Sequence, residues 1–161
     1  MATGDLVTYP QFKLGKLEGT TNIAGLDLTD GNLKVAVLKD TFNPATNFTA
    51  IQFMNHASII LTTFEVAKAT AYTGPITLLN PTAVLNASDI PELRVDDYTI
   101  AKDTGGFTDG RYLVFFYDTG TPATSAVVAY GDLGAIKSIV TSSLQLDWSN
   151  VGDAVNTILR W

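Results

Sequence analysis

Two runs in the second half of the chain break the alternation that marks a half-buried strand. In "RYLVFFY", Tyr112, Val114 and Phe116 share one face of an extended backbone while Leu113, Phe115 and Tyr117 share the other, so both faces are apolar. "SAVVAYG", Ser125 to Gly131, is apolar in the same unbroken way. The pattern predicts two strands joined by a loop from Asp118 to Ser125. Each needs cover on two sides, where an antiparallel sheet commonly leaves one side wet.

The remaining apolar positions predict further short strands. "NLKVAVLKD" places Leu33, Val35 and Val37 on one side and Lys34, Ala36 and Leu38 on the other, between Asp30-Gly31 and Asn43-Pro44. "YTGPITLLNPTAVLN" and "ELRVDDYTIAK" are divided by Gly74-Pro75, Asn80-Pro81 and Ile90-Pro91, because proline stops a ladder and holds its predecessor extended. "SLQLDWS" alternates, with Leu144, Leu146 and Trp148 inward. The tail "NVGDAVNTILRW" fits a final helical turn or a strand.

One stretch reads two ways. In "ATNFTAIQFMNHASIILTTFEVAKA", Phe53, Ala57, Ile60 and Phe64 fall on a helical stripe with Thr46 or Asn47 as N-cap, yet "SIILTTFEV" is rich in β-branched residues. A short helix ending near His56, followed by a strand, is the expectation adopted. The first 30 residues, rich in Gly and Thr, predict an extended arm with short pairing segments. The fold class expected is therefore mainly β: an antiparallel β-sandwich or small barrel over residues 31–161, with one short helix and an extended N-terminal arm over residues 1–30.

Composition narrows the partners. Only 16% of the residues are charged against 46% hydrophobic, so the exterior must be built from Thr, Ser, Asn and Gly or be partly hidden. The net charge is −6 and the ten Lys and Arg are scattered, which speaks against a nucleic-acid partner. No apolar run approaches the length of a bilayer span and the start lacks the pattern of a secretory signal, so no membrane partner and synthesis in the cytoplasm are expected. The absence of cysteine excludes disulfides and thiolate chemistry.

Candidate chemistry is sparse. The one histidine, His56, has no serine elbow to serve and is expected to be structural. The acidic pairs Asp27 with Asp30, Asp96 with Asp97, and Asp103 with Asp109 sit among Gly and Thr and are expected to form turns. "DTGGFTDG" resembles a calcium loop only in outline, lacking its alternating acids and closing glutamate. Tyr72, Tyr98, Phe107 and Trp161 are the aromatics weighed for stacking on a sugar or base, and Asn47 and Asn86 lie in glycosylation sequons. No catalytic, cofactor-binding or metal-ligating residue is assigned, no cofactor is expected, and the chain is not expected to be an enzyme. For the doubly apolar strands, cover by the same chain is expected at Tyr112–Tyr117 and contact with another subunit at "SAVVAYG".

The residues also resemble a family of small β-rich structural proteins of tailed bacteriophages, of the capsid decoration or tail-fibre-like kind. The resemblance is carried by "LKVAVLKDTFNPATN", "AYTG", "VDDYTI", and above all "RYLVFFYDTGTPATSAVVAYGDLG" followed by "LQLDW", in that order over about three quarters of the chain. It departs at "GPITLLNPTAVLNASDIPE" and in the longer tail through Trp161. The resemblance implies a virion component without catalytic residues. That component would be a homo-oligomer, with a trimer favoured, acting as cement on the outer capsid surface and bridging the major capsid protein; the alternative is a tail, neck or fibre adaptor with host-glycan contact.

Overall fold

The structure, a computed structural model, describes residues 6–19, 22–85, 87–89, 91–148 and 157–160, the last four as backbone. In chain order its elements are β1 (Val7–Thr8), α1 (Pro10–Glu18), β2 (Leu33–Lys39), α2 (Leu61–Phe64), β3 (Ile76–Thr77), β4 (Thr82–Leu85), β5 (Pro91–Arg94), β6 (Tyr98–Ile100), β7 (Gly110–Tyr117), β8 (Val127–Lys137), β9 (Leu144–Leu146) and β10 (Thr157–Arg160). An open antiparallel sheet of order β1-β8-β7-β2-β3 forms the centre, and smaller sheets β10-β5-β4 and β6-β9 accompany it. The molecule is mainly β and sandwich-like.

Register explains how the two-faced strands are used. β2 and β7 pair from Leu33↔Tyr117 to Leu38↔Tyr112, so Val35, Val37, Leu113 and Phe115 share one face and Ala36, Leu38, Val114 and Tyr112 share the other. β8 continues both faces, with Ala129 opposite Phe115 and Tyr130 opposite Val114. On the first face, the Trp148 ring that follows β9 packs 5.5 Å from Phe115 in an edge-to-face contact. Trp148 is fixed there by its indole N–H, which donates to the Asp96 carbonyl at 2.9 Å, and by its backbone N–H, which donates to Asp97 Oδ1 at 3.0 Å. Phe107 and Tyr72 extend that cover, their rings 5.7 Å apart.

The opposite face is covered by the stretch between β2 and α2, together with Tyr9. Phe42 meets Tyr112 at 5.6 Å and Phe64 at the same distance, while Phe48 and Tyr9 each meet Tyr130 at 5.8 Å. Edge-to-face pairs of this kind contribute roughly 0.5–1.5 kcal/mol each beyond the area they bury. As a result Leu113 and Val114 are fully buried and Phe115 and Phe116 nearly so. The chain thus covers both faces of β7 itself.

Three expectations are corrected by these contacts. "SAVVAYG" is an interior strand: Ala126, Val127 and Ala129 are fully buried within the chain, so their cover comes from the same chain where another subunit was expected to supply it. The N-terminal arm is short pairing followed by a helix: β1 pairs with β8 through Val7↔Tyr130 and Thr8↔Ala129, and α1 follows. Pro10 starts α1, and Gly19 at φ 74° ends it in the left-handed conformation that glycine adopts without cost, its N–H donating to Gly15 O. The apolar spacing hid this helix because it buries Phe12 but leaves Leu14 and Leu17 exposed.

The third correction concerns residues 45–66, where no helix precedes His56 and no regular strand follows it. Asn43 accepts the Ala45 N–H at 3.0 Å, and Asn47 takes φ 55°, so the chain turns where an N-cap was expected. Residues 52–54 then run extended along β8, with Val127 N–H donating to Gln52 O and Met54 N–H to Ser125 O. The helical turn falls at α2, inside the expected strand, and only Glu65 and Val66 pair with β2.

Candidate interaction surface

The side chains singled out for chemistry are occupied in holding turns. His56 is half-buried and accepts the Ser58 N–H through Nδ1 at 3.2 Å. Asp27 accepts both the N–H and the hydroxyl of Thr29, which holds its carboxyl below the usual carboxylate range. Asp30 accepts the Asn32 N–H at 2.9 Å and the Tyr117 hydroxyl. Asp103 is likewise held low, by the N–H groups of Ala71 and then Gly105, each at 2.9 Å. Asp109 contributes its carbonyl to the Asp40 N–H at 2.9 Å. Asp96 and Asp97 position Trp148 as described, and Asp96 Oδ2 also accepts from the Asn80 amide at 2.6 Å. Asp27, Asp30 and Asp103 thus hold turns with their carboxylates, whereas Asp96 and Asp97 hold the Trp148 stretch and Asp109 acts through its backbone carbonyl.

The aromatics sort differently. Tyr72 and Phe107, weighed for stacking on a ligand, are buried against each other; Tyr98 is half-buried; Trp161 lies outside the described residues. The Tyr72 hydroxyl accepts the Val37 N–H at 3.0 Å and donates to Glu65 Oε1 at 2.9 Å, and Lys68 pairs with the other Glu65 oxygen at 3.2 Å. Burial and the neighbouring Glu65 carboxylate push the Tyr72 phenol well above its ordinary pKa. This network ties the Glu65–Tyr72 loop to the middle of β2. Asn47 donates to Ser58 Oγ at 2.9 Å; Asn86 lies outside the described residues.

Among the described residues no three His, Asp or Glu side chains come together to hold a metal, and no helix is long and apolar enough to cross a membrane. A cavity of 330 Å³ opens between Met54, Leu61, Pro75, Phe116 and the 118–125 loop. Two of its polar residues are engaged within the fold: Asp118 takes Lys34 at 2.5 Å and the Gly120 N–H at 2.8 Å, and Ser125 donates to Thr121 O at 2.9 Å.

The surface feature with unspent capacity is β4. Its one neighbour among the described residues is β5, and no other described segment pairs with the N–H and C=O groups of its second edge. Leu85 is 63% exposed and Leu79, just before the strand, 47%. Thr82 to Leu85 carries no charge of the kind that usually blunts an edge. The carboxylates stand at its ends: the Asp96 N–H donates to Leu79 O at 3.0 Å, which places Asp96 beside the entry to β4, and exposed Asp89 lies in the β4–β5 connection. The sequence carried a signal for this edge in the uncharged "TAVL" framed by Pro81 and Pro91, but alternation alone does not tell an edge strand from an inner one.

Comparison with family models, with characterised proteins and with solved structures finds no match to this chain.

Proposed function

We propose that this chain is a structural protein of a tailed-phage virion: a capsid decoration protein that binds the outer surface of the head and bridges major capsid subunits. The observation that carries the proposal is where the resembling and the departing segments fall. The resembling segments include β2, most of β7, the first part of β8, and β9 with Trp148, which form the covered framework, together with the exposed loop over residues 119–123 and the stretch that holds β6. The departing segment, residues 74–92, contains β3, β4 and the uncharged edge with its exposed leucines. A covered framework with an exposed strand of its own suits a protein whose task is to hold a partner, because contacts repeated by symmetry over a shell add up even when each is small.

Both faces of β7 are covered within one chain, so a trimer is not needed to shield them. In this proposal the trimer assembles on the shell. Of the aromatics weighed for stacking on a sugar, which the adaptor alternative would use for host-glycan contact, Tyr72 and Phe107 are buried. Co-sedimentation of the purified protein with heads stripped of it tests the proposal. Saturable binding at a fixed ratio to the major capsid protein is expected; failure to bind heads would overturn it.

A further inference from the structure

We propose that the free edge of β4 takes up an extended segment of a partner chain by strand addition, and that this segment is basic at both ends of its paired stretch. The edge supplies the main-chain hydrogen bonds, and Leu79 and Leu85 supply apolar contact for alternate side chains. Four residues of strand span about 13 Å. Carboxylates bracket that length, Asp96 at the Thr82 end and Asp89 at the Leu85 end, with Asp97 next to Asp96.

Charge decides between the possible occupants. Residues 79–97 hold four carboxylates, Asp89, Glu92, Asp96 and Asp97, against one cation, Arg94. Arg94 is moreover paired to the buried Glu92 at 3.0 Å. A second copy of this chain would bring the same negative edge and be repelled, whereas a strand with Lys or Arg at its ends is drawn in. The edge therefore favours a basic foreign segment over self-pairing. The inference rests on the decoration proposal only for which protein supplies that segment.

The test is a titration of the full-length, isotopically labelled protein with the peptide Lys-Val-Thr-Val-Thr-Lys and with its Glu-ended counterpart. The expected result is a change in amide resonances confined to residues 79–97, with weak affinity of about 1 mM, as suits so short a segment. Loss of at least about fivefold in affinity is expected when salt is raised from about 50 to 500 mM. The Glu-ended peptide should give no response. Successive residues of β4 direct their N–H groups to opposite sides, so one of Ala83→Pro and Val84→Pro should abolish binding with the β4–β5 ladder intact, and the other should break that ladder. Equal response to both peptides, changes outside residues 79–97, or binding unaffected by either proline would overturn the inference. Stripped heads separate the two proposals: head binding by the edge-blocked variant at full strength sinks strand addition alone, and no head binding by the unmodified protein sinks the decoration role.

Discussion

At the scale of single residues, the structure contains one conspicuous cost. The Tyr9 hydroxyl is fully buried with no hydrogen-bond partner among the described residues, and burial pushes its pKa far above the ordinary phenol value. A buried hydroxyl left unsatisfied costs about 1–3 kcal/mol. Tyr9→Phe, which keeps the ring against Phe48 and Tyr130, is therefore expected to raise stability by about 1 kcal/mol, read as a higher denaturant midpoint at unchanged slope. A lower midpoint would show that the hydroxyl is satisfied. Gly110 marks the opposite limit: a Cβ there would lie 2.7 Å from the Phe107 ring and 3.0 Å from Val37 Cγ1. Both neighbours are fixed in the core, so Gly110→Ala should cost about 1–3 kcal/mol by the same measurement.

The carboxylates predict an acid limb at the same scale. The Lys34 ammonium, and after it the Gly120 N–H, hold Asp118 below its ordinary 3.8. Asp27 and Asp103 are shifted the same way by Thr29 and by Ala71 and Gly105. A carboxyl depressed in the folded state binds fewer protons there than when unfolded, so its stabilisation is complete above the ordinary carboxylate range and is lost as pH falls through the folded value. Stability is expected to change little between about pH 5 and 7 from these groups and to fall below about pH 4, and Asp118→Asn should flatten part of that fall. Chemical denaturation at a series of pH values checks both; an acid limb unchanged by Asp118→Asn would remove that residue from the account.

At the scale of elements, the strands that carry an unbroken apolar pattern were legible, and those whose form depends on distant partners were not. β2, β7, β8 and the β9–Trp148 stretch follow from apolar periodicity and turn residues, because each buries its side chains along a regular ladder. The stretch from Asn43 to Ile60 carries a helical stripe but turns at Asn47, since Phe48, Ile51 and Met54 must reach a sheet contributed by remote sequence. α1 escaped notice for the related reason that its apolar residues do not share one buried face. The candidate surface was visible only as an uncharged strand; its edge position depends on β5 pairing with β10 on the other side. Phe115 tests the element-level account of a ribbon covered on both faces. Phe115→Ala removes the ring under Trp148 and is expected to cost about 3–5 kcal/mol in denaturation experiments. A cost under about 1 kcal/mol would mean that this face is not packed as described.

At the scale of the whole molecule, a low-charge β framework covers both faces of its central sheet and, among the described residues, presents at β4 an uncharged edge strand flanked by carboxylates. Because the apolar faces of β7 are satisfied internally, the isolated protein is expected to have the mass of one 17.2 kDa chain at micromolar concentration, measured by light scattering, with higher order appearing only on the particle. A trimer persisting on dilution would place an interface on some other surface. The most direct measurement of the central claim is near-atomic imaging of purified virions. The account predicts density for this fold on the outer face of the head, with the β4 edge toward a capsid subunit. A head surface without that density would contradict it.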